Sequence, residues 1–295
     1  MSPLLITVTE LANQIKHQPD TLCLVDCRAK LQFPDWGREQ YLHGHIPGAQ
    51  FADLERDLSG PIIAGKTGRH PLPTPAALAS FFADIGISPT TQVVAYDDAG
   101  GAYACHLWWQ LRWLGHDQCR ILDGGLPAWV AAGQPLESGP VARQRAPFIG
   151  ALRAGLTVTA DELLQVDGLL QTETKRIVID ARGPARYAGK EEPIDPVAGH
   201  IPGALNLPFS GNLTADGHFL PATALRQRFA DAGVTGTGSS ATGSSENVVA
   251  YCGSGVTACH NIFAMALAGL PPAKLYPGSW SEWITDPSRP IARTN

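Results

Sequence analysis

Short apolar runs alternate with helical patterns along the chain. Four of the runs are continuously apolar, which is typical of strands buried on both faces of a parallel sheet. They are Cys23–Val25, Val93–Tyr96, Ile177–Ile179 and Val248–Tyr251. Helical patterns such as Pro75–Ile85 and Ala222–Ala232 lie between them. This alternation predicts an α/β fold with parallel sheets, in which sites form beyond the carboxyl ends of the strands.

The same pattern occurs twice, because the chain repeats itself. The hexapeptide GHIPGA stands at Gly44–Ala49 and again at Gly199–Ala204, 155 positions later. Three further pairs keep an offset of 154 or 155: LVDCR with VIDAR, VVAYD with VVAYC, and LDGGLPAW with LYPGSWSEW. Matches at so constant an offset indicate a tandem duplication of a unit of about 130 residues, an ordinary domain size.

The repeat predicts two domains, residues 1–138 and residues 156–295, joined by a linker at 139–155. Composition supports this division, because Ala132–Leu156 is rich in Gly, Pro, Arg and Ala and has no sustained period. A second irregular stretch, Gly233–Asn247, is rich in Gly, Ser and Thr and predicts a surface loop just before a buried strand.

Composition and charge exclude several classes of protein. The 295 residues carry a formal net charge of -5, whereas a nucleic-acid binder would normally carry a basic surface. No apolar run approaches the roughly 18 residues of a membrane span, and the first residues lack the features of a secretory signal. We therefore expect a cytoplasmic protein with no nucleic-acid or membrane partner, and we take a monomer as the default state. The six cysteines include no Cys-x-x-Cys pair, so most are expected to be buried and neither disulfide-bonded nor bound to zinc.

One cysteine, Cys252, stands directly after the apolar run Val248–Tyr251. A helical pattern begins about five residues later, at Thr257–Ala268. The intervening glycines permit positive φ angles, so that successive backbone N–H groups can converge on the sulfur. The N-terminal end of the helix adds partial positive charge. These features favour a thiolate and predict that Cys252 is a nucleophile.

The neighbours of Cys252 distinguish between kinds of nucleophilic cysteine. A cysteine phosphatase needs an arginine six residues after the cysteine, where this chain has Ala258. A papain-type protease would need a general-base histidine near the cysteine, but His260 lies on the predicted helix. A dithiol redox site is not indicated either, because Cys259 is too distant from Cys252 along the chain. A sulfur-carrying nucleophile remains, with a non-catalytic sulfur-binding or scaffold module as the alternative. The first repeat has Asp97 at the matching position, which predicts that the N-terminal copy is catalytically silent.

Taken together, the duplicated GHIPGA, the preceding Asp-x-Arg and the Cys-Gly-Ser-Gly-Val-Thr loop resemble the two-domain rhodanese family of sulfurtransferases over nearly the whole chain. The resemblance implies tandem rhodanese-like domains, each a parallel sheet flanked by helices. It also implies a persulfide on Cys252 and a thiol, cyanide or thioredoxin-like acceptor. No metal or organic cofactor is implied.

The resemblance also bears on the sulfur donor. Family members that use 3-mercaptopyruvate tend to carry the neutral loop found here, whereas thiosulfate users tend to carry Arg and Lys, which attract a dianion. Arg186 matches the arginine that grips the mercaptopyruvate carboxylate in the family. A second arginine is expected nine residues later, where this chain has Asp195, as thiosulfate enzymes tend to have. The neutral loop and Arg186 favour mercaptopyruvate as the donor, whereas Asp195 favours thiosulfate, which is kept as the alternative.

Further site residues follow from the same resemblance. Ser254, His70 and Asp53 match a proton relay proposed for mercaptopyruvate enzymes, which would place the site in a cleft between the domains. The loop residues are expected to bind the donor sulfur: Gly253, Gly255, Val256 and Thr257. Trp280 is expected either to line the substrate cleft or to belong to the core.

Overall fold

The computed structural model describes residues 4–167, 176–235, 248–271 and 273–294. Most of the predicted surface loop Gly233–Asn247 lies outside the described residues. The chain forms two compact units. The first comprises Met1–Gly60, Leu72–Arg153 and Ala215–Phe219, and the second Pro61–Pro71, Ala154–Thr214 and Leu220–Asn295. The domain boundaries taken from the sequence stay a prediction.

The first unit is built on a five-stranded parallel sheet in the order β1-β5-β4-β2-β3. Its strands are β1 (Leu5–Ile6), β2 (Leu22–Asp26), β3 (Gln50–Phe51), β4 (Gln92–Tyr96) and β5 (Cys119–Leu122). Its helices are α1 (Val8–His17), α2 (Trp36–His43), α3 (Pro75–Asp84), α4 (Ala104–Trp113) and α5 (Gly125–Ala131), with a 3-10 turn at Pro19–Thr21.

The second unit repeats this design on a four-stranded parallel sheet in the order β7-β6-β8-β9. Its strands are β6 (Ile177–Asp180), β7 (Leu205–Asn206), β8 (Val248–Tyr251) and β9 (Lys274–Leu275). Its helices are α6 (Ala160–Asp167), α7 (Pro184–Ala188), α8 (Ala222–Asp231), α9 (Ala258–Leu267) and α10 (Ser279–Trp283), with a 3-10 turn at Phe209–Asn212. The predicted α/β class with parallel sheets is confirmed.

Three of the central strands, β2, β4 and β8, are buried over all or nearly all of their length. Every residue of β8 is buried, as are the last four residues of β4. No solvent face therefore remains to impose alternation, which explains why these strands appear in the sequence as continuous apolar runs. Within the described ranges, no helix is long and apolar enough to cross a membrane.

The repeated sequence motifs fasten each GHIPGA segment to its own sheet. In the second unit Asp180 forms a buried ion pair with Arg182 at 2.7 Å, and the same guanidinium donates to the Gly199 carbonyl at 2.8 Å. The Ile201 N–H donates to the Tyr251 hydroxyl at 3.2 Å. Burial lowers the pKa of Arg182, but hydrogen bonds to Asp180 outweigh it, so the pKa lies above its usual value. The motif therefore fixes the segments that lie at the carboxyl ends of the strands.

Candidate active site

Cys252 follows β8 directly and is 2% exposed. Both of its backbone polar groups are held, because its N–H donates to the Ser279 hydroxyl at 3.1 Å and its carbonyl accepts from the backbone N–H of Trp280 at 3.1 Å. Ser279 has a φ of 54°, the left-handed region that a serine rarely adopts. Backbone strain of this kind clusters at functional sites, where the surrounding structure maintains it. The sequence alone gave no reason to select Ser279.

The loop between Cys252 and α9 needs glycine at Gly255. Its φ is +85°, and a Cβ added there would lie closer than 3.0 Å to the Pro277 carbonyl oxygen. Only a residue without a side chain fits both the backbone angle and this close approach. The loop can therefore turn tightly from β8 into α9 beside the cysteine.

The matching loop of the first unit displays the anion-binding capacity of this fold. Both carboxylate oxygens of Asp97 accept two backbone N–H groups each, from Ala99 at 2.8 Å and Gly101 at 2.9 Å, and from Tyr103 at 2.8 Å and Ala104 at 2.9 Å. The last donor is the first residue of α4. A strand, a glycine-containing loop and a helix N-terminus thus enclose a negative charge with main-chain donors.

Two guanidinium groups lie against the loop at Gly253. A Cβ on Gly253 would be 2.9 Å from Nη2 of Arg69 and 3.4 Å from Nη2 of Arg186. Arg186 comes from α7 and was predicted. Arg69 was missed; it comes from the segment Pro61–Pro71 of the second unit, where its N–H donates to the Ser281 hydroxyl at 3.0 Å. The only feature of the sequence that could have pointed to Arg69 was its basic side chain directly before His70.

Two buried carboxylates hold these guanidinium groups. Asp195 pairs with Nη1 of Arg69 and, at 3.1 Å, with Nη2 of Arg186. Glu192 accepts from Nε of Arg186 at 3.0 Å and from Nη2 at 2.7 Å, and also pairs with Arg182 at 3.4 Å. The side chains of Asp195 and Glu192 are 2% and 4% exposed. The positive charge beside the cysteine is therefore compensated within the protein.

The structure brings Ser254 and His70 together. The Ser254 hydroxyl and Nδ1 of His70 are 2.7 Å apart, and both residues are buried. Asp53, the third member of the predicted relay, belongs to the first unit. There its carboxylate accepts N–H groups from Glu55 at 2.9 Å and Arg56 at 3.1 Å, as in an aspartate that closes a turn.

Trp280 is wholly buried in the core of the second unit. Its indole N–H donates to the Val197 carbonyl at 2.8 Å, and the guanidinium of Arg182 lies 4.9 Å from its ring centroid. Val256 is also buried, whereas Thr257 is partly exposed at the start of α9. The contacts of Trp280 support Arg182; a contact with substrate stays a prediction.

All six cysteines are buried, and none of them forms a disulfide. Burial raises the pKa of Cys23 to about 11, and raises the pKa of Cys27, Cys119 and Cys259 as well. The Cys259 thiol donates to the Gly255 carbonyl at 3.4 Å. In the described ranges no three His, Cys, Asp or Glu side chains are grouped as a metal site requires.

Comparison with known proteins agrees with this geometry. The rhodanese-like domain family matches residues 7–132 and 162–286. A Pseudomonas aeruginosa protein named "Probable 3-mercaptopyruvate sulfurtransferase" is 50% identical over 98% of this chain and 97% of its own length. The thiosulfate sulfurtransferase of Bos taurus is 36% identical over 84% of this chain and 80% of its own. The structure of 3-mercaptopyruvate sulfurtransferase from Leishmania major superposes with a TM-score of 0.80 at 32% identity, covering 95% of this chain and 74% of that one. The chain therefore belongs to the rhodanese family and consists of two rhodanese-like domains.

Proposed function

We propose that this protein is a sulfurtransferase that moves a sulfane sulfur from 3-mercaptopyruvate to a thiol or cyanide through a persulfide on Cys252. The observation that carries the proposal is the convergence of two guanidinium groups on Gly253, next to a cysteine at the end of a strand. The similarity to mercaptopyruvate and thiosulfate sulfurtransferases supports the reaction class.

The first half-reaction is a nucleophilic substitution at sulfur. The Cys252 thiolate attacks the thiol sulfur of mercaptopyruvate, a new S–S bond forms, and the C–S bond breaks. The electron pair passes to carbon and gives the enolate of pyruvate. The proton of the donor thiol is delivered to that carbon, so the products are pyruvate and the anionic Cys252 persulfide. In the second half-reaction a thiolate or cyanide attacks the outer sulfur and regenerates the Cys252 thiolate.

Each neighbouring group has a role in this scheme. Arg186 and Arg69 bind the donor carboxylate, because guanidinium groups match carboxylates in charge and geometry. Ser254, hydrogen-bonded to His70, carries the proton between the donor thiol and the enolate carbon. The resemblance adds Asp53 as a third relay member, and that role stays a prediction.

Backbone amides of the loop stabilise the negative charge. The loop after β4 holds the Asp97 carboxylate with four main-chain donors in the same strand–loop–helix frame. By analogy, the residues Gly253 to Thr257 and the start of α9 hold the thiolate and then the persulfide. The first unit carries a carboxylate where sulfur would be accepted, so we propose that it is catalytically silent.

Thiosulfate is the alternative donor. In that case the Cys252 thiolate attacks the outer sulfur of thiosulfate and sulfite leaves. The two guanidinium groups at Gly253 would suit this dianion. The neutral Gly253–Ser254 pair favours mercaptopyruvate, because it adds no positive charge to the loop.

The acceptor and the setting of the enzyme belong to this proposal as well. A sulfur donor and an acceptor follow from the reaction class. A thioredoxin-like acceptor, a monomeric state, a cytoplasmic location and the lack of nucleic-acid or membrane partners stay predictions from the sequence.

Mass spectrometry of the intact protein tests the proposal directly. After treatment with mercaptopyruvate, the wild type should gain the mass of one sulfur atom, and Cys252→Ala should not. Cys259→Ala is the matched control, because this buried thiol lies on α9 in the same unit and should leave the gain intact. If the wild type gains no sulfur from either donor, the non-catalytic module is the correct interpretation.

The donor is then identified by kinetics. We expect kcat/KM with cyanide as acceptor to be higher for mercaptopyruvate than for thiosulfate. A higher value for thiosulfate would overturn the donor assignment and leave the persulfide intact.

A further inference from the structure

The first unit contains a cavity of about 590 Å³, within the range of roughly 300 to 1,000 Å³ that is typical of small-molecule sites. It lies at the amino ends of β4 and β5, whose first residues, Gln92 and Cys119, line it. Asp97 follows the opposite end of β4. The cavity is therefore separate from the anion-binding loop of this unit.

The wall of the cavity is positively charged. Three arginines, Arg112, Arg120 and Arg153, line it together with one carboxylate, that of Asp117. Arg153 holds this carboxylate with two hydrogen bonds, at 2.7 and 2.6 Å. Nε of Arg112 is 3.9 Å from the same carboxylate, too far for a hydrogen bond. Three cations and one anion leave the wall with an excess of two positive charges.

Two of these arginines keep N–H donors for a ligand. The Arg112 guanidinium donates no hydrogen bond within the described part of the chain, and its central carbon lies 5.0 Å from the ring centroid of Trp108. Arg120 uses Nη2 alone, for the side-chain oxygens of Gln14 at 2.7 Å and Gln92 at 3.4 Å. An anion in the cavity would therefore meet two cationic groups whose remaining donors are not taken by described residues.

The same two cations lie in an environment that opposes their charge. Burial, together with repulsion from Arg153, lowers the pKa of Arg112 more than the attraction of Asp117 raises it. Burial also lowers the pKa of Arg120, against the attraction of Glu10. A bound anion would supply the charge compensation that the wall lacks.

The second unit provides a comparison for these side chains. The Ala-Cys-His triplet that begins α4 recurs at the start of α9, at an offset of 154. At this offset Arg112 corresponds to Ala266 and Trp108 to Ile262. The duplicated helix thus forms without an arginine at this place. A half-buried cation that the fold does not require is better explained by a ligand than by the scaffold.

We propose that this cavity binds a small organic anion, whose acid group pairs with Arg112 and Arg120 and whose apolar body fills the space beside Leu4 and Trp108. Guanidinium groups match carboxylate, sulfonate and phosphate oxygens in charge and geometry. An inorganic anion alone would leave most of the cavity empty, so the ligand is organic. The inference is independent of the reaction proposed for Cys252.

Fluorescence titration with anilinonaphthalene sulfonate tests the site, because this probe joins one acid group to an aromatic body. A hydrogen bond to a charged group is worth roughly a factor of ten in affinity, so we expect the Kd to rise about tenfold in Arg112→Gln and in Arg120→Gln. The uncharged parent compound, N-phenylnaphthylamine, has the same aromatic body, and its Kd should change less than about twofold in either variant.

Two further variants show where the probe binds. Arg38→Gln is the matched control, because it removes an equal charge from an exposed arginine on α2 of the same unit. Arg186→Gln removes a guanidinium beside the Cys252 loop. Both should leave the Kd of the sulfonate within about twofold of the wild type.

Three results would overturn the inference. The first is a wild type that shows no saturable binding, or a Kd that stays within about twofold of the wild type in Arg112→Gln and Arg120→Gln. The second is an equal rise in Arg38→Gln, which indicates a general charge effect. The third is a rise in Arg186→Gln alone, which assigns the probe to the Cys252 loop. If the glutamine variants do not fold, Arg112→Ala is judged by the same criterion, because α9 carries alanine at the matching position.

Discussion

Replacement of Gly253 by alanine should separate catalysis from stability. The φ of Gly253 lies outside the left-handed region, so an alanine fits the backbone. Its Cβ would lie 2.9 Å from Nη2 of Arg69 and 3.4 Å from Nη2 of Arg186. Ordinary contact begins at about 3.4 Å, so the Arg69 guanidinium must move by a few tenths of an ångström.

The magnitude follows from this displacement. A 1 Å misplacement of a positioning group can cost about a hundredfold in rate. A displacement of about half an ångström should therefore cost roughly tenfold, or about 1.4 kcal/mol of transition-state stabilisation. The cost in stability should be small. The ends of arginine side chains can shift, and a Gly→Ala change at a compatible φ itself stabilises by about 0.4 to 1 kcal/mol. We expect kcat/KM to fall roughly tenfold and the free energy of unfolding to change by less than about 1 kcal/mol.

Thiocyanate formation from mercaptopyruvate and cyanide measures kcat/KM, and thermal or denaturant unfolding measures stability. Gly183→Ala is the matched control, because a Cβ there meets no atom within 4 Å and the φ of -59° suits alanine. Its activity should stay within twofold of the wild type. A wild-type kcat/KM in Gly253→Ala would refute the role given to the two guanidinium groups.

Three further predictions concern the loop, the thiols and pH. Gly255→Ala should lower the unfolding free energy by about 2 to 4 kcal/mol in denaturant titrations, because left-handed strain adds to overlap with a backbone carbonyl; an unchanged midpoint would contradict this. Iodoacetamide at pH 8 should modify Cys252 in the native protein and leave Cys259, whose pKa burial raises, unmodified in peptide mapping. Hydrogen bonds from Arg153 lower the pKa of Asp117, so the stability that this ion pair adds is present above pH 3.8 and is lost as the pH falls through the lowered pKa. The stability difference between wild type and Asp117→Asn should therefore be at most about 1 kcal/mol near neutral pH and vanish in acid.

The local frame of the site could be read from the sequence. β8, the loop after it and the start of α9 occupy the expected places, because a buried strand and an apolar helix each leave a strong pattern. Comparison of the two repeats selected Cys252 as the candidate nucleophile, because the first copy has Asp97 at the matching position. Arg186 followed from a family motif within ten residues of a strand end.

The rest depended on contacts between distant segments. Arg69 precedes Cys252 by more than 180 positions and meets the loop only because the segment Pro61–Pro71 packs with the second unit. Glu192 and Ser279 carry no pattern of their own: one is an acidic residue in a polar stretch, the other a serine whose left-handed φ is visible only in coordinates. Periodicity reports burial, so it reveals the scaffold and not the polar groups that converge on it.

The two repeats place different negative groups in the same position. In the first unit the Asp97 carboxylate accepts hydrogen bonds from four main-chain N–H groups by itself, so these donors are permanently occupied. A thiol is neutral until it loses a proton, so the same frame around Cys252 gains its favourable contacts only when the sulfur is charged. Under the proposed mechanism that condition is met by the thiolate and again by the persulfide. The same strand–loop–helix frame therefore binds a structural carboxylate in the first unit. Under the proposed mechanism, a cysteine at the strand end and the two arginines beside it let the frame bind the reacting anions in the second unit.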